Sequence, residues 1–455
     1  MPLASLHEIA RLGEVFHRHG RQLYLVGGSV RDELLGRDGK DIDLTTDATP
    51  DEVKRLAASV HPSGIYTVGE RFGTIGLVFP ERKVEITTFR AEQYPADSRK
   101  PTVTFGNSLE DDLSRRDFTI NAMARDVVSG RLFDPYGGLR DLRDKMVRAV
   151  GVPEQRFAED PLRLLRAVRF AVELGFDIEP DTAAGIAAAA RTLAKISRER
   201  VAEEMNRILL SPDPARGVRL LWELGLLPFI VPEMMEMVQM DQGRYRHKDI
   251  FEHTLLVLER VAPDLVLRWA ALLHDIAKPR TFSYEDGEVR FWGHEHLGEQ
   301  LARSILQRLR LDGRTVESVG RLVRMHLRAN QYDETWTDGA VRRLVREAGD
   351  DLWRLFDLSR ADVTSSRPVR VEAALARVTA LEQRCRELAE QEAIQALQSP
   401  LDGNELMSIF NRPPGPWIGR VKDYLLNLVI EGDLAQDDKE RAAALARDFI
   451  AETGI

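Results

Sequence analysis

The chain has 455 residues, 43% of them hydrophobic and 30% charged, and a formal net charge of −9. That balance excludes a collagen-like, low-complexity or largely disordered chain, and no window reaches the roughly 18 consecutive apolar residues of a membrane span. The single cysteine, Cys385, excludes an internal disulfide framework and a multi-cysteine zinc site. The N-terminus is charged and amphipathic, without a signal-peptide core, so a cytoplasmic protein is expected. Length predicts about three domains. The acidic total argues only weakly against a nucleic-acid partner. Residues 115–169 carry twelve Lys and Arg against eight Asp and Glu, and a basic cleft within an acidic protein is compatible with RNA.

Residues 21–135 mix short β-like runs with turns. LYLVGGS (23–29) is an apolar run ending in glycines, and GTIGLVF (73–79) and KVEITTF (83–89) predict two strands across a Pro-containing turn. RLFDPYGG (131–138) predicts a further short strand entering a turn. Strands alternate with helical stretches, so an α/β first domain is expected. Beyond about residue 140 the pattern is helical. LRLLRAVRFAVEL (162–174) spaces apolar residues at helical intervals, and ERVAEEMNRILL (199–210) and PARGVRLLWELG (214–225) predict two more helices. The stretch 253–277 predicts a helix pair broken near Pro263, and 369–397, free of Pro and Gly, predicts one long helix.

Two constellations carry chemistry. In the first, Gly27, Gly28, Ser29 and Arg31 lie in GGSVRD after an apolar strand, and Asp41–Ile42–Asp43 follows. Glycines at a strand end let backbone amides approach phosphate oxygens. Alternate strand residues share a face, so Asp41 and Asp43 project together while Ile42 turns inward. Adjacent carboxylates repel unless a cation sits between them, and oxygen donors suit Mg2+. Glu85 in KVEITTF offers a third carboxylate. Further on, Asp160, Arg163, Arg166 and Arg169 recur every three residues, which predicts nearly one helical face.

GGSVRD, DIDLTT, EITTFR (85–90), RRDFTINAMA (115–124), DPYGG (134–138) and EDPLRLLRAVRF (159–170) occur in one order. In that order and spacing the chain resembles the bacterial-type (class II) tRNA nucleotidyltransferases and the related poly(A) polymerases. The resemblance covers roughly residues 20–230. It implies an α+β protein: a polymerase-beta-like nucleotidyltransferase head (1–140), a helical neck that recognises the base and RNA (141–230), an HD-type helical domain (231–368) and a helical tail contacting tRNA (369–455). It implies that Asp41 and Asp43 hold two Mg2+ ions, that Gly28 and Arg31 touch the triphosphate, and that Arg116, Asp117 and Asn121 touch ribose and phosphate. Asp160 and Arg163 match the pair that reads the incoming base, with Arg166 and Arg169 following. The polar stretch 87–105 resembles the loop with which full CCA-adding enzymes switch from CTP to ATP. It keeps Asp97 and Arg99, while Glu92 replaces the usual Asp. Its length favours CCA or A-only addition over CC addition.

The second constellation is histidine-rich. Six of ten histidines lie between residues 247 and 326. The order His253, His274–Asp275, Asp362, with His294 and His326 between, resembles the HD metal-dependent phosphohydrolases. An Asp beside a His can bridge metals while imidazoles complete the shell. Such a donor set admits a transition metal or Mg2+.

The expected function is template-independent CCA addition to tRNA from CTP and ATP. A-only addition and poly(A) addition are alternatives. In a reading of another class, a metal phosphohydrolase carries a nucleotide-binding N-terminal half. A pure RNA-binding scaffold has only the basic stretch in its favour.

Overall fold

Strand β1 (Leu23–Val26) is buried along its whole length, whereas β2 (Asp41–Thr46) buries Ile42 and Leu44 and exposes Asp41 and Asp43. These strands are central to a mixed sheet in a computed structural model that describes residues 7–37, 41–93, 102–105, 108–241, 250–286, 288–364, 367–396, 398–431 and 433–453. The sheet adds β3 (Gly64–Tyr66), β4 (Thr74–Phe79) and β5 (Arg82–Thr88) on one side. The ribbon β6 (Arg90–Gln93) and β7 (Thr102–Phe105) stands apart, and β8 (Ala124–Asp126) and β9 (Leu132–Phe133) complete the main sheet. The seven strands run in the order β3-β4-β5-β2-β1-β8-β9. The β2–β5 pair is parallel and the other pairs in this sheet are antiparallel.

Helices flank the sheet. Helix α1 (His7–Arg18) buries Ile9, Leu12 and Phe16 at helical spacing. Helix α2 (Gly28–Leu34) follows the glycine turn directly. Helix α3 (Pro50–Ala58) starts with a capping box between Thr49 and Glu52 and with Pro50, whose fixed φ suits a first turn. Short α4 (Leu109–Ser114) and α5 (Gly138–Arg143) close the head.

The neck contains α6 (Pro153–Glu159), α7 (Leu162–Leu174), α8 (Pro180–Ala189), α9 (Arg198–Leu209), α10 (Pro214–Glu223) and α11 (Leu227–Ile230). A parallel clip joins β10 (Met146–Val147) to β11 (Asp177–Ile178). Helix α7 is buried nearly all round, Arg163 and Arg169 included, so those cations need partners inside the protein. The histidine-rich region follows as α12 (Met234–Asp241), α13 (Ile250–Arg260) and α14 (Leu265–Leu273). After the hairpin β12 (Ser283–Glu285) and β13 (Glu288–Arg290) come α15 (His294–Arg308) and α16 (Gly313–Met325).

The chain divides into two compact units, residues 1–324 and 325–455. The second contains α17 (Asp338–Ala348), α18 (Leu352–Asp362), the long α19 (Pro368–Ala396), α20 (Gly403–Phe410), α21 (Pro416–Glu431) and α22 (Lys439–Thr453). Its last three helices close over a core of Leu406, Trp417, Val421 and Leu425. Among the described residues no helix is long and apolar enough to cross a membrane.

Candidate active site and a second ligand cluster

The parallel pair builds the first site. Register sets Asp43 opposite Glu85 and Asp41 opposite Lys83. Ile42, Leu44, Val84 and Ile86 are buried on the other face, so Asp41, Asp43 and Glu85 share the open one. Tyr66 donates its hydroxyl proton to Glu85 Oε1 at 3.0 Å, and burial together with that carboxylate pushes the phenol up to about 12. Asp43 is solvent-accessible yet crowded by protein atoms. That desolvation raises its carboxyl pKa; Arg116 opposes the rise, and the charges of Glu85 and Asp41 add to it. A cluster of oxygen donors with surplus negative charge fits a hard divalent cation such as Mg2+.

The glycine turn is tied to this strand. Asp43 N donates to Ser29 Oγ at 2.9 Å. Gly27 has φ of 66°, and a Cβ there would lie 2.7 Å from Arg116 Nη1. The turn therefore needs glycine for its conformation and for the close approach of a guanidinium. Arg116 is in turn held by Asp112 Oδ2 at 3.1 Å, and Arg115 bonds the other oxygen of the same carboxylate. Burial works to raise the Asp112 pKa, but the two arginines keep it below the usual range.

A polar chain connects turn and neck. Arg31 Nη1 donates to Asn121 Oδ1 at 2.8 Å, and Asn121 Nδ2 donates to Asp117 Oδ1 at 3.1 Å. Arg166 Nε and Nη2 close on Asp117 Oδ2 at 2.8 and 2.5 Å. Burial would raise Asp117, but Arg166, Asn121 and Arg163 outweigh it and hold the carboxyl at about 2. The Phe170 ring packs beneath three guanidinium groups, at 5.1 Å from Arg31, 5.3 Å from Arg166 and 4.1 Å from Arg169.

The expected single face from Asp160 to Arg169 is corrected at its first member. Asp160 precedes Pro161, whose ring disfavours helix in the residue before it, and its backbone is extended at φ −139° and ψ 101°. Its Oδ1 accepts from Leu162 N at 3.0 Å and its Oδ2 from Arg200 Nη2 at 3.0 Å. Arg163 turns instead to the Arg115 carbonyl at 2.7 Å and Glu159 Oε2 at 2.7 Å. Arg169 donates to Glu204 Oε2 at 2.6 Å and Glu173 Oε2 at 2.9 Å. Glu204 and Tyr66 carry no local motif signal, because their partners Arg169 and Glu85 are distant in sequence; Asp112 and Phe170 meet Arg115, Arg116, Arg166 and Arg169 within four residues, a spacing the sequence could have offered. Residues 94–101, with Asp97 and Arg99, lie outside the described residues, as does the side chain of Glu92.

The second cluster gathers four predicted donors in the first unit. His253 comes from α13, His274 and Asp275 follow α14, and His294 opens α15. His274 Nε2 lies 3.3 Å from His253 Nε2 and 3.2 Å from Asp275 Oδ2. His253 Nε2 and His294 Nε2 each lie 3.6 Å from Asp275 carboxylate oxygens. Nδ1 of His274 is 2.8 Å from the Ala271 carbonyl, and Nδ1 of His294 is 2.8 Å from the Phe291 carbonyl. A carbonyl only accepts, so both rings donate from Nδ1, which in a neutral imidazole leaves Nε2 as the ligating atom. Lys278 Nζ donates to Asp275 Oδ2 at 2.6 Å. Mixed imidazole and carboxylate donors fit a borderline divalent metal. His326 and Asp362 belong to the second unit. There Ser359 Oγ donates to the His326 carbonyl at 3.2 Å, and Asp362 ends α18.

Three family models match the chain. They are the poly A polymerase head domain over residues 23–148, the probable RNA and SrmB-binding site of polymerase A over 175–237, and the HD domain over 250–366. The chain belongs to the tRNA nucleotidyltransferase and poly(A) polymerase family. It is 36% identical to the A-adding tRNA nucleotidyltransferase of Deinococcus radiodurans, covering 92% of this chain and 94% of the relative. It is 35% identical to the CC-adding tRNA nucleotidyltransferase of Thermus thermophilus, covering 93% of each. Among solved structures it resembles the Bacillus stearothermophilus CCA-adding enzyme in complex with CTP, with a TM-score of 0.60, 29% identity and coverage of 100% of both chains.

Proposed function

We propose that this chain adds C, C and A to the 3′ end of tRNA from CTP and ATP, without a template and with release of pyrophosphate, in the cytoplasm. The observation that carries this reading is the parallel-strand register of Asp43 and Glu85, with Asp41 alongside and the Ser29 hydroxyl accepting from the Asp43 amide. Residues 1–140 would supply catalysis, 141–230 base recognition, and 369–455 a tRNA contact.

Asp41 and Asp43 would hold two Mg2+ ions, which when bound lower the pKa of the 3′-hydroxyl and offset triphosphate charge. The Gly27–Gly28–Ser29 turn presents amides to the triphosphate, and Arg31 and Arg116 supply positive charge beside it. Asp117 and Asn121 orient the ribose. Arg163 and Asp160 are the base-reading pair, with Arg166 and Arg169 bracing the same helix. Because Arg163 is already engaged by the Arg115 carbonyl and Glu159, base reading requires it to share or exchange those bonds.

The test offers tRNAs ending before CCA, after C and after CC, each with CTP, ATP, UTP or GTP alone. Stepwise C, C and A addition supports the proposal. A second reading, A-only addition, is favoured by the 36% identity to an A-adding relative. It predicts incorporation only on the tRNA ending in CC. Long A tails on every primer would mark poly(A) polymerisation.

The His253, His274, Asp275 and His294 cluster supports an accessory hydrolytic role on phosphate esters. The residues would hold a transition metal or Mg2+, with the His274 and His294 rings oriented by their Nδ1 bonds to the Ala271 and Phe291 carbonyls. Phosphatase and 2′,3′-cyclic phosphodiesterase assays with added divalent ions test it. Activity lost in His274→Ala supports it, and inactivity of the wild type with every ion rejects it.

A further inference from the structure

Tyr66, Gly76, Glu85 and Asp43 form one row across four neighbouring strands. Tyr66 pairs with Gly76, Gly76 with Glu85, and Glu85 with Asp43. Paired residues in register point to one face of a sheet. Gly76 is the member without a side chain, and the Tyr66 ring occupies its place. A Cβ on Gly76 would lie 1.9 Å from Tyr66 Cζ and 2.1 Å from Cε2. The ring crosses β4 through this gap, and its hydroxyl lies 3.0 Å from Glu85 Oε1.

We propose that Tyr66 is a positioning residue for the head reaction, its hydroxyl reaching across the Gly76 gap to fix the Glu85 carboxylate beside Asp43. This inference rests on the nucleotidyl-transfer role proposed for Asp41 and Asp43. An exposed glutamate has three rotatable bonds and samples several rotamers when free. A charge-assisted hydrogen bond from a rigid phenol selects one of them, which leaves less reorganisation when a divalent ion binds. Any side chain at position 76 would displace the ring and uncouple the row.

The test measures Mn2+ binding to the full-length protein with a nonhydrolysable CTP analogue, read from the electron paramagnetic resonance signal of free Mn2+. The wild type, Tyr66→Phe, Glu85→Gln and the double variant are compared. Tyr66→Phe keeps the ring over Gly76 and removes only the donor, so its melting temperature should match the wild type. Binding should weaken by about tenfold, and kcat should fall while the KM for CTP changes by less than about twofold. The double variant should bind no more weakly than Glu85→Gln, because Tyr66 acts through Glu85. Gly76→Ala should reproduce the loss seen in Tyr66→Phe. Wild-type Mn2+ binding by Tyr66→Phe, or losses that multiply in the double variant, would overturn the inference. Asp43→Ala separates the two claims. If it is inactive while Tyr66→Phe is silent, only the role of Tyr66 fails, whereas an active Asp43→Ala removes the nucleotidyl-transfer reading itself.

Discussion

Asp43 and Asp275 are both carboxylates set among other ligand-type side chains, yet the fold treats them differently. Asp43 is solvent-accessible on a sheet face, placed by backbone register, with like charges on Asp41 and Glu85 as neighbours. Asp275 is buried and has Lys278 and three imidazoles around it. An open carboxylate cluster with surplus negative charge, which Arg116 offsets only in part, can leave its remaining compensating cations to arrive with the substrate. A fully buried carboxylate has no solvent screening, so its positive partner is built into the fold. The head therefore suits ions delivered with a triphosphate, and the histidine cluster suits a resident one.

The largest break in this comparison comes from Asp41→Ala or Asp43→Ala. Each should abolish nucleotide incorporation while tRNA binding, followed by filter retention, stays nearly intact, since metal carboxylates serve the transition state. A variant keeping more than about a tenth of the rate would contradict the account. His274→Ala sharpens the other side. It should remove any metal-dependent phosphohydrolase activity and leave incorporation within about twofold of the wild type. A parallel loss of both activities would show that the two regions are not separable.

A smaller effect is expected from Arg163→Ala, which should relax selection of C and A over U and G in single-nucleotide incorporation assays. Unchanged selectivity would place base reading elsewhere. Smaller still is the stability contribution of the buried Asp117. Its carboxyl is held at about 2 in the folded chain against an ordinary 3.8. The depressed folded value means that its contribution is complete above about pH 4 and is lost as pH falls through about 2. Asp117→Asn should cost about 1–3 kcal/mol in denaturant unfolding at neutral pH. It should also flatten the acid limb of the stability curve between those values. An unchanged acid limb would show that Arg166 and Asn121 do not depress this carboxylate.

Local pattern made much of this legible. The bounds of the run 162–174 match α7, although its burial extends well beyond the spaced apolar positions, and the alternation around Ile42 matches the burial along β2. The absence of Pro and Gly after 368 agrees with the long α19. The displacement of Asp160 from the helical face was also present in the sequence, because Pro161 follows it. What local pattern could not reveal is pairing over distance. The partners of Arg166 and Arg169, Asp117 and Glu204, lie on other elements 49 and 35 residues away. Tyr66 reaches Glu85 across a strand whose contribution is the lack of a side chain. Such relations depend on sheet order and on helix packing, which periodicity leaves open. The ribbon β6–β7 at the base of the polar stretch was hidden because that stretch reads as a loop, although TVTF carries β-branched residues.

The most direct measurement is a crystal structure of the full chain with Mn2+ and a nonhydrolysable CTP analogue, collected with anomalous scattering. Anomalous peaks are expected between the Asp41 and Asp43 carboxylates, with the triphosphate lying along Gly27, Gly28 and Ser29. Mn2+ and triphosphate bound away from these residues, with both carboxylates directed into solvent, would contradict the proposed role of this site.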